Sequence, residues 1–277
     1  MTRLLLSHED RPWEDRPACC EDREPSMEVC DLSVSYGQEP ALRDVSLTIP
    51  RGCVTAVVGP SGCGKSTFLS CLNRLTDLAP DCRVTGSVRF QGYDILNGDT
   101  DLVALRRHVG MIFQRPNPFP LSIRKNLTFP LRHHGSPNGK PLEERVEEIL
   151  RQVGLWDEVK DRLDAPALEL SGGQQQRLCL ARALVLEPMV LLLDEPCSAL
   201  DPIAGGVVED LILSLRGRYT VVVVTHNLAQ ARRIADDVAV FWMQGGAGTM
   251  IEHGTVDRVF DAPRTEWTAQ YVRGVRG

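Results

Sequence analysis

The sequence has no apolar run that could cross a membrane. Its longest aliphatic stretches, Val190–Leu193 and Val221–Val224, are far shorter than the ~20 apolar residues that a bilayer-spanning helix needs. Near the start, only Leu4–Leu6 are apolar before the chain becomes strongly charged, so a secretory signal peptide is not expected. We therefore expect a chain that does not span a membrane by itself and that stays in the cytosol.

The spacings typical of metal ligands are also missing. The nine cysteines include no C-x-x-C pair, and His133 and His134 are the only close pair among the six histidines. These patterns argue against a structural zinc site and against a disulfide framework. We expect the cysteines to behave as small apolar residues or surface thiols.

An excess of positive charge is absent as well. Lysine and arginine number 31 against 37 aspartate and glutamate residues, which gives a net charge of -6. This balance argues against nucleic acid as a partner. With 43% hydrophobic and 25% charged residues, the composition is that of a globular protein with a sizeable core.

The residue pattern divides the chain into a tail and a folded domain. Residues 1–26 are rich in charge and proline and predict a disordered tail. From Met27 onward, polar and apolar residues alternate, which predicts strands with one buried face. Continuous β-prone runs predict strands buried on both faces, as in parallel sheets, at Val54–Val58, Val109–Phe113, Val190–Leu193 and Val221–Thr225.

Helical patterns fill the intervals between these strands. After the strand that ends at Val58, a helix is predicted with Phe68, Leu69, Leu72 and Leu75 on one face. Residues 114–187 are mostly helical in pattern, with prolines in their connections. The sequence therefore predicts an α/β core that carries a helical lobe.

A glycine-rich loop is the most specific local signal in the sequence. It follows the pattern G-x-x-x-x-G-K-[ST] between a predicted strand and a predicted helix, and consists of Gly59, Pro60, Ser61, Gly62, Cys63, Gly64, Lys65, Ser66 and Thr67. The glycines let main-chain amides surround a phosphate, and Lys65 adds positive charge at the β and γ oxygens. Ser66 offers a hydroxyl to Mg²⁺. We call Gly59–Thr67 the phosphate loop and predict that it binds a nucleoside triphosphate.

Two carboxylates follow the predicted strand at residues 190–193. Asp194 and Glu195 stand at its carboxyl end, where open α/β sheets bind their ligands. We predict that Asp194 holds the metal ion and that Glu195 is the general base for the attacking water. Lys65 joins them as a catalytic candidate.

A third motif leads to a family resemblance. Ser171, Gly172, Gly173 and Gln174 form a small-residue turn in which Ser171 is a plausible N-cap of the next helix. This turn, shortly before the sequence VLLLDEP, resembles the pattern of ABC-transporter ATPase subunits. The resemblance covers the chain from about residue 27 to its end. It implies a P-loop NTPase core at 27–113 and 188–277, with a mainly parallel sheet, an N-terminal antiparallel β portion and a helical subdomain at 114–187.

The same resemblance implies further site residues. Tyr36 would stack on adenine, and Gln114 would sense the metal and the attacking water while it joins the core to the helical lobe. His226 would contact the γ-phosphate, and Asp201, in the segment Ser198–Asp201, would communicate across a homodimer. In that dimer, the Ser171–Gln174 turn of one protomer closes on ATP and Mg²⁺ held by the other.

The subfamily is indicated by three segments and by the C-terminal sequence. All four resemble the corresponding parts of the ATPase subunit of bacterial phosphate importers. The segments are Phe113–Pro120, Cys71–Arg74 and Glu195–Ala204, and the C-terminal sequence is VFDAPRTEWTAQYVRGVRG. The resemblance implies ATP hydrolysis coupled to phosphate uptake, at the cytoplasmic face of the membrane. It also implies two membrane-spanning permease subunits and an external phosphate-binding protein as partners.

Two departures from that pattern lie in the expected folded domain. Arg115 replaces the usual lysine, and the segment Gln244–Thr249 looks longer than the usual turn between the last strands. We expect neither to touch the ATP chemistry.

Three alternatives remain open from the sequence. The first is an importer ATPase for another solute, such as a polar amino acid. The second is an ABC ATPase that works on nucleic acid or ribosomes, although the chain has one phosphate loop and no extensive basic patch. The third is a regulatory protein that binds ATP with little turnover, against which Glu195 and His226 argue.

Overall fold

All strands that the structure describes belong to one mixed sheet. The computed structural model describes residues 24–136 and 139–274. The described strands are β1 (Pro25–Tyr36), β2 (Glu39–Pro50), β3 (Val54–Val58), β4 (Cys82–Phe90), β5 (Tyr93–Asp94), β6 (Val109–Ile112), β7 (Val190–Asp194), β8 (Thr220–Val224), β9 (Asp237–Gln244) and β10 (Ala247–Thr255). The expected tail lies outside the described residues except for 24–26, where β1 has already begun at Pro25.

The sheet has a parallel half and an antiparallel half. Its strand order is β5-β4-β1-β2-β10-β9-β3-β8-β7-β6. Strands β9, β3, β8, β7 and β6 are parallel neighbours, whereas β10 runs antiparallel to β9, and β2, β1, β4 and β5 pair antiparallel in turn. The two halves meet where Gly248 of β10 pairs with Leu42 of β2. The predicted combination of a mainly parallel core and an N-terminal antiparallel portion is confirmed.

Ten α-helices are described around this sheet. They are α1 (Lys65–Cys71), α2 (Leu102–His108), α3 (Ile123–His134), α4 (Leu142–Gln152), α5 (Trp156–Val159), α6 (Gly172–Leu184), α7 (Pro202–Leu215), α8 (Leu228–Ile234), α9 (Val256–Asp261) and α10 (Glu266–Val272). Helices α3 to α6 lie between β6 and β7 in the chain and form the predicted helical lobe. On this basis we propose the same division of the chain, with the lobe at 114–187. Among the described helices, none is long and apolar enough to span a bilayer.

The central strands are buried on both faces, as their continuous apolar sequences predict. In β3, Val54, Ala56 and Val58 pack into one hydrophobic cluster, together with residues of the lobe, and Val57 packs into the other cluster, with Phe68 of α1. This alternation follows from the two-residue period of a strand. The phosphate loop therefore begins at the end of a strand that is buried on both faces.

A buried arginine joins α4 to the end of α6 within the helical lobe. Arg145 of α4 is fully buried and donates hydrogen bonds to the carbonyl oxygens of Leu184 and Val185, at the end of α6. It also pairs with Glu148 and Glu187 at 3.1 Å each. The two carboxylates and the carbonyl groups compensate the cost of burying its charge.

Three local predictions are wrong. Helix α1 ends at Cys71, and Leu75 begins a separate 3₁₀ helix after Arg74, whose φ of 57° breaks the α-helix. The segment Gln244–Thr249 is no long turn, because Gln244 pairs with Ala247 across a two-residue turn of Gly245 and Gly246, both with positive φ. Cys53 is disulfide-bonded, contrary to the expectation for the cysteines; the other described cysteines, Cys30, Cys63, Cys71, Cys82, Cys179 and Cys197, are free.

Candidate nucleotide-hydrolysis site

The phosphate loop connects β3 to α1 and needs glycine at particular positions. Gly62 and Gly64 have φ values of 82° and 84°, a left-handed conformation that residues with a side chain rarely adopt. A Cβ atom at Gly64 would also lie 2.4 Å from Cδ2 of Leu42 in β2. The glycines of the motif therefore allow a tight curve that packs closely against the neighbouring strand.

Lys65 closes this curve with its ammonium group. The side chain is 6% exposed, and Nζ donates hydrogen bonds to the carbonyl oxygens of Gly59 at 2.8 Å and Pro60 at 2.7 Å. The charge is thus held inside the loop. Such a fixed cation can meet the oxygens of a phosphate with little rearrangement.

Ser66 and Asp194 meet at the edge of the loop. The Ser66 hydroxyl donates to Oδ1 of Asp194 at 3.0 Å. Burial raises the pKa of the Asp194 carboxyl group, and the charge of Glu195 raises it further, while the Ser66 hydrogen bond and Lys65 act in the opposite direction. The hydroxyl oxygen of Ser66 and a carboxylate oxygen of the partly buried Asp194 therefore lie together beside the phosphate loop.

Glu195 is the centre of a hydrogen-bonded cluster. Its Oε2 accepts from Nε2 of Gln114 at 3.0 Å, and its Oε1 lies 3.0 Å from Nδ1 of His226. Ser198 completes the cluster, since its hydroxyl accepts from Gln114 at 3.3 Å and donates to the Glu195 carbonyl oxygen at 3.0 Å. Both carboxylate oxygens are thus held in defined directions.

Sheet topology brings these residues together. Gln114, Glu195 and His226 follow the ends of β6, β7 and β8, which are adjacent parallel strands. Ile112 pairs with Leu193, and Asp194 pairs with Val224, so the three strands end at the same edge. Carboxyl ends of parallel strands are where open α/β sheets bind ligands.

Tyr36 lies at the opposite end of the phosphate loop from its first glycine. It ends β1, the residue is 38% exposed, and its hydroxyl forms a hydrogen bond with the side chain of Thr67. Burial raises the pKa of this phenol, and the Thr67 contact partly opposes the rise. An exposed aromatic face is therefore available next to the loop, as the predicted adenine contact requires.

The Ser171–Gln174 turn forms the start of α6 within the helical lobe. The Ser171 hydroxyl accepts from the Gln174 amide, and the Gln174 side chain accepts from the Ser171 amide at 3.0 Å, which is a complete capping box. Gln174 also donates to Glu158 of α5 at 2.6 Å. Among the described residues, no hydrogen bond joins this turn to the phosphate loop of the same chain.

Gly172, Gly173 and Asp201 have local structural partners. A Cβ atom at Gly172 would be 3.8 Å from Leu200, and one at Gly173 would be 2.8 Å from Cβ of Ala204 in α7. Asp201 caps α7, and its Oδ1 accepts from the amides of Ile203 and Ala204 at 3.0 Å each. The close approach of α6 and α7 thus needs a residue without a side chain at 173.

Three contributors were missed in the sequence. Buried Gln176 donates to the Pro196 carbonyl oxygen at 3.1 Å and so ties α6 to the segment after Glu195. Glu158 accepts a hydrogen bond from Gln174 and forms an ion pair with Arg177 at 2.8 Å. The third is Gly248, where a Cβ atom would lie 2.1 Å from the Cys63 carbonyl oxygen. The segment Gln244–Thr249 therefore packs against the phosphate loop, and a non-local contact of this kind leaves no signal in the sequence.

Comparison with known proteins identifies relatives along nearly the whole chain. The sequence profile of the ABC transporter family matches residues 42–198. Phosphate import ATP-binding protein PstB 1 of Nitrosococcus oceani is 58% identical over 264 residues, which is 95% of each chain. Phosphate import ATP-binding protein PstB 2 of Bacillus subtilis is 49% identical over 251 residues, 91% of this chain and 92% of that protein.

A solved structure agrees in fold. It is cbiO1 from Clostridium perfringens, described as part of the ABC transporter complex cbiONQ, with a TM-score of 0.73 and 27% identity. The match covers 92% of this chain and 96% of the solved one, which confirms the predicted fold class. The chain therefore belongs to the ABC transporter family, as one of its ATP-binding, ATP-hydrolysing proteins.

Proposed function

We propose that this protein is the ATPase subunit of an ABC importer that drives the uptake of inorganic phosphate across the cytoplasmic membrane. The relative from Nitrosococcus oceani, named a phosphate import protein and 58% identical over 95% of both chains, is the observation that carries the cargo assignment. The cluster around Glu195 supports hydrolysis, because a degraded, binding-only site has no need of an oriented carboxylate.

ATP binds along the phosphate loop in this proposal. The main-chain amides between Gly59 and Thr67 and the start of α1 hold its phosphates. Lys65 already points its ammonium group into the loop, and it exchanges its carbonyl partners for β and γ oxygens. The exposed ring of Tyr36, fixed through Thr67, stacks on the adenine.

The residues beside the loop fit a magnesium ion. Mg²⁺ prefers oxygen ligands and is usually held by one or two protein groups together with substrate phosphates. Ser66 and Asp194, whose oxygens are 3.0 Å apart, supply such a pair, and Gln114, the third predicted metal residue, contacts Glu195, the residue after Asp194, at 3.0 Å. A carboxylate whose pKa is raised by burial gains from a cationic partner. When bound, the ion would neutralise charge that develops on the β and γ phosphates.

Glu195 acts as general base. Water attacks the γ-phosphorus in line with the leaving oxygen, and its proton moves to the Glu195 carboxylate. Gln114 and His226 hold the two carboxylate oxygens at 3.0 Å each, so the base meets the water in one orientation. His226 has a side chain that is 56% exposed and can reach the γ-phosphate from the same edge.

A second copy of the chain completes each site. Ser171 and Gly172 are exposed, and their hydrogen bonds stay within their own lobe, so the start of α6 is open to a phosphate from outside. Ile203, next to Asp201, is 83% exposed and offers apolar surface for the same contact. In the ATP-bound homodimer, the two copies close head to tail, and hydrolysis removes the bridge between them.

An exposed aromatic patch where the core meets the lobe supports a docking surface for the permease subunits. Phe113 and Phe119 are 41% and 38% exposed and flank Arg115. Phe119 packs edge to face on Phe129 at 5.8 Å, with the guanidinium of Arg182 4.1 Å from its ring centre. Gln114 lies between Phe113 and Phe119 in the chain and donates a hydrogen bond to Glu195. A permease helix bound at this patch would therefore sense the state of Glu195. In this proposal the protein works at the cytoplasmic face of the membrane, and an external phosphate-binding protein delivers the cargo.

Uptake of labelled phosphate tests the proposal. Cells lacking this chain should take up phosphate at a reduced rate, the wild-type chain should restore uptake, and Glu195→Gln should not. Uptake of a polar amino acid serves as the control and should stay unchanged. Restored amino-acid uptake with unchanged phosphate uptake would refute the cargo while leaving the ATPase assignment intact.

A further inference from the structure

Strand β10 passes directly behind the phosphate loop at Gly248. A Cβ atom at this position would lie 2.1 Å from the carbonyl oxygen of Cys63 and 3.1 Å from that of Ala41. Non-bonded carbon and oxygen atoms do not approach to 2.1 Å, since attraction is optimal near ~3.5 Å and repulsion rises steeply below it. Only a residue without a side chain allows the loop and the strand to be this close.

The same hairpin touches the loop at a second point. A Cβ atom at Gly59 would lie 2.2 Å from the carbonyl oxygen of Phe241 in β9. The ring of Phe241 packs on Phe68 of α1, with ring centres 5.3 Å apart. The hairpin of β9 and β10 therefore supports the phosphate loop at its start, in its middle and along the helix that follows.

Gly248 also lies at the joint between the two halves of the sheet. It pairs with Met243 of β9 on one side and with Leu42 of β2 on the other. Leu42 in turn approaches Gly64, where a Cβ atom would be 2.4 Å from its Cδ2. The peptide that joins Cys63 to Gly64 is thus held between β10 and β2.

The direction of that peptide matters for phosphate binding. In a planar trans peptide the carbonyl group and the N–H group point in opposite directions. The Cys63 carbonyl oxygen faces β10 at Gly248, so the Gly64 amide points away from β10. The amides of a phosphate loop bind the anion only if they converge on it.

We propose that Gly248 is a positioning residue for ATP binding. Its missing side chain lets the Cys63 carbonyl group pack against β10, and this contact aims the Gly64 amide into the phosphate site. The inference rests on the proposed role of the phosphate loop. It adds a residue from the end of the chain, outside every nucleotide-binding motif, to the determinants of ATP affinity.

A pair of alanine variants in the same strand tests the proposal. In Gly248→Ala, the loop and β10 must separate by at least about 1 Å to restore an ordinary contact distance. In the control Gly254→Ala, the new methyl group meets the flexible side chain of Arg258 at 3.4 Å. Each variant replaces one glycine of β10 by alanine, but only Gly248→Ala disturbs the phosphate loop.

Kinetics of ATP hydrolysis by the purified full chain separate positioning from folding. Because a misplacement of about 1 Å can cost about a hundredfold, we expect kcat/KM of Gly248→Ala to fall by about that factor. Most of the loss should appear in KM, because an amide that binds the phosphate binds substrate and transition state alike. Gly254→Ala should keep kcat and KM within about threefold of the wild-type values. Urea unfolding gives the folded fraction of each variant, by which its kcat is corrected.

Several results would overturn the inference. Wild-type KM in folded Gly248→Ala, or an equal rise of KM in both variants, would show that the Cys63 contact does not position the loop. If Gly248→Ala does not fold, amide hydrogen exchange of the wild-type protein tests the inference instead. ATP should increase the protection of residues 247–250 more than the protection of residues 86–90. An equal increase in the two segments would refute the role of the Cys63 contact. A wild-type chain that binds no ATP would instead refute the proposed function.

Discussion

Replacing Glu195 by glutamine separates ATP binding from ATP hydrolysis. The substitution removes the carboxylate that accepts the proton but keeps the shape of the side chain. The amide oxygen of the glutamine can still accept from Gln114, and its NH₂ group can donate to Nδ1 of His226, in place of the two contacts at 3.0 Å. The cluster should therefore keep its geometry.

The expected size of the effect follows from the role of each contact. A general base contributes about 10²- to 10⁴-fold to a rate, so turnover should fall by that range. Converting two hydrogen bonds to a charged acceptor into neutral ones costs at most about 2 kcal/mol of unfolding free energy. ATP affinity should stay within a few fold, because the phosphate contacts of the loop are untouched.

Two measurements on each variant test this expectation. Phosphate release under single-turnover conditions reports the chemical step, and calorimetry with ATP reports binding. Glu144→Gln is the matched control, because it removes one negative charge from an exposed position of α4. Light scattering should find that Glu195→Gln with ATP forms a stable dimer, since the bridging nucleotide is no longer cut.

Hydrolysis by Glu195→Gln at the wild-type rate would refute the general-base role. Loss of ATP binding in this variant, with unfolding unchanged, would show instead that the carboxylate holds the nucleotide. A slow Glu144→Gln control would mean that net charge, and not the position of the base, sets the rate.

The other predictions concern the loop, the lobe and the docking surface. Lys65→Ala removes the ammonium group that would donate to the β and γ oxygens, and a hydrogen bond between charged groups is worth about 1.5–3 kcal/mol, so calorimetry should record at least a tenfold loss of ATP affinity. Burial opposes ionisation of Glu158, but hydrogen bonds from Arg177 and Gln174 outweigh it and lower its pKa below 4.5. Its stabilising contribution is therefore fully present above pH 4.5 and is lost as the pH falls through the lowered value, so Glu158→Gln should be less stable than wild type to urea at pH 7, and the difference should shrink as the pH falls below 4.5. Cross-links from Phe119 should map to a cytoplasmic helix of the permease, and cross-links only from the opposite side of the fold would exclude this docking surface.

Local sequence was sufficient for the parts of the site that are continuous in the chain. The glycine spacing of the phosphate loop and the acidic pair Asp194 and Glu195 each carry their chemistry within a few residues. The strands of the core were readable because burial on both faces selects an unbroken apolar run. The exact end of α1 was not readable, since the left-handed conformation of Arg74 depends on its contacts with Asp77, Ile95 and Asn97.

The contacts between residues that are distant in the chain were decided by the order of the strands in the sheet. The contacts of Gln114 and His226 with Glu195 exist because β6 and β8 are both neighbours of β7, although the three residues are far apart in the chain. Gly248 reads as part of a glycine-rich turn, and only the packing of β10 behind the phosphate loop gives it a role. Sequence patterns specify what each segment prefers to be, whereas proximity between distant segments is set by how the apolar faces are buried together.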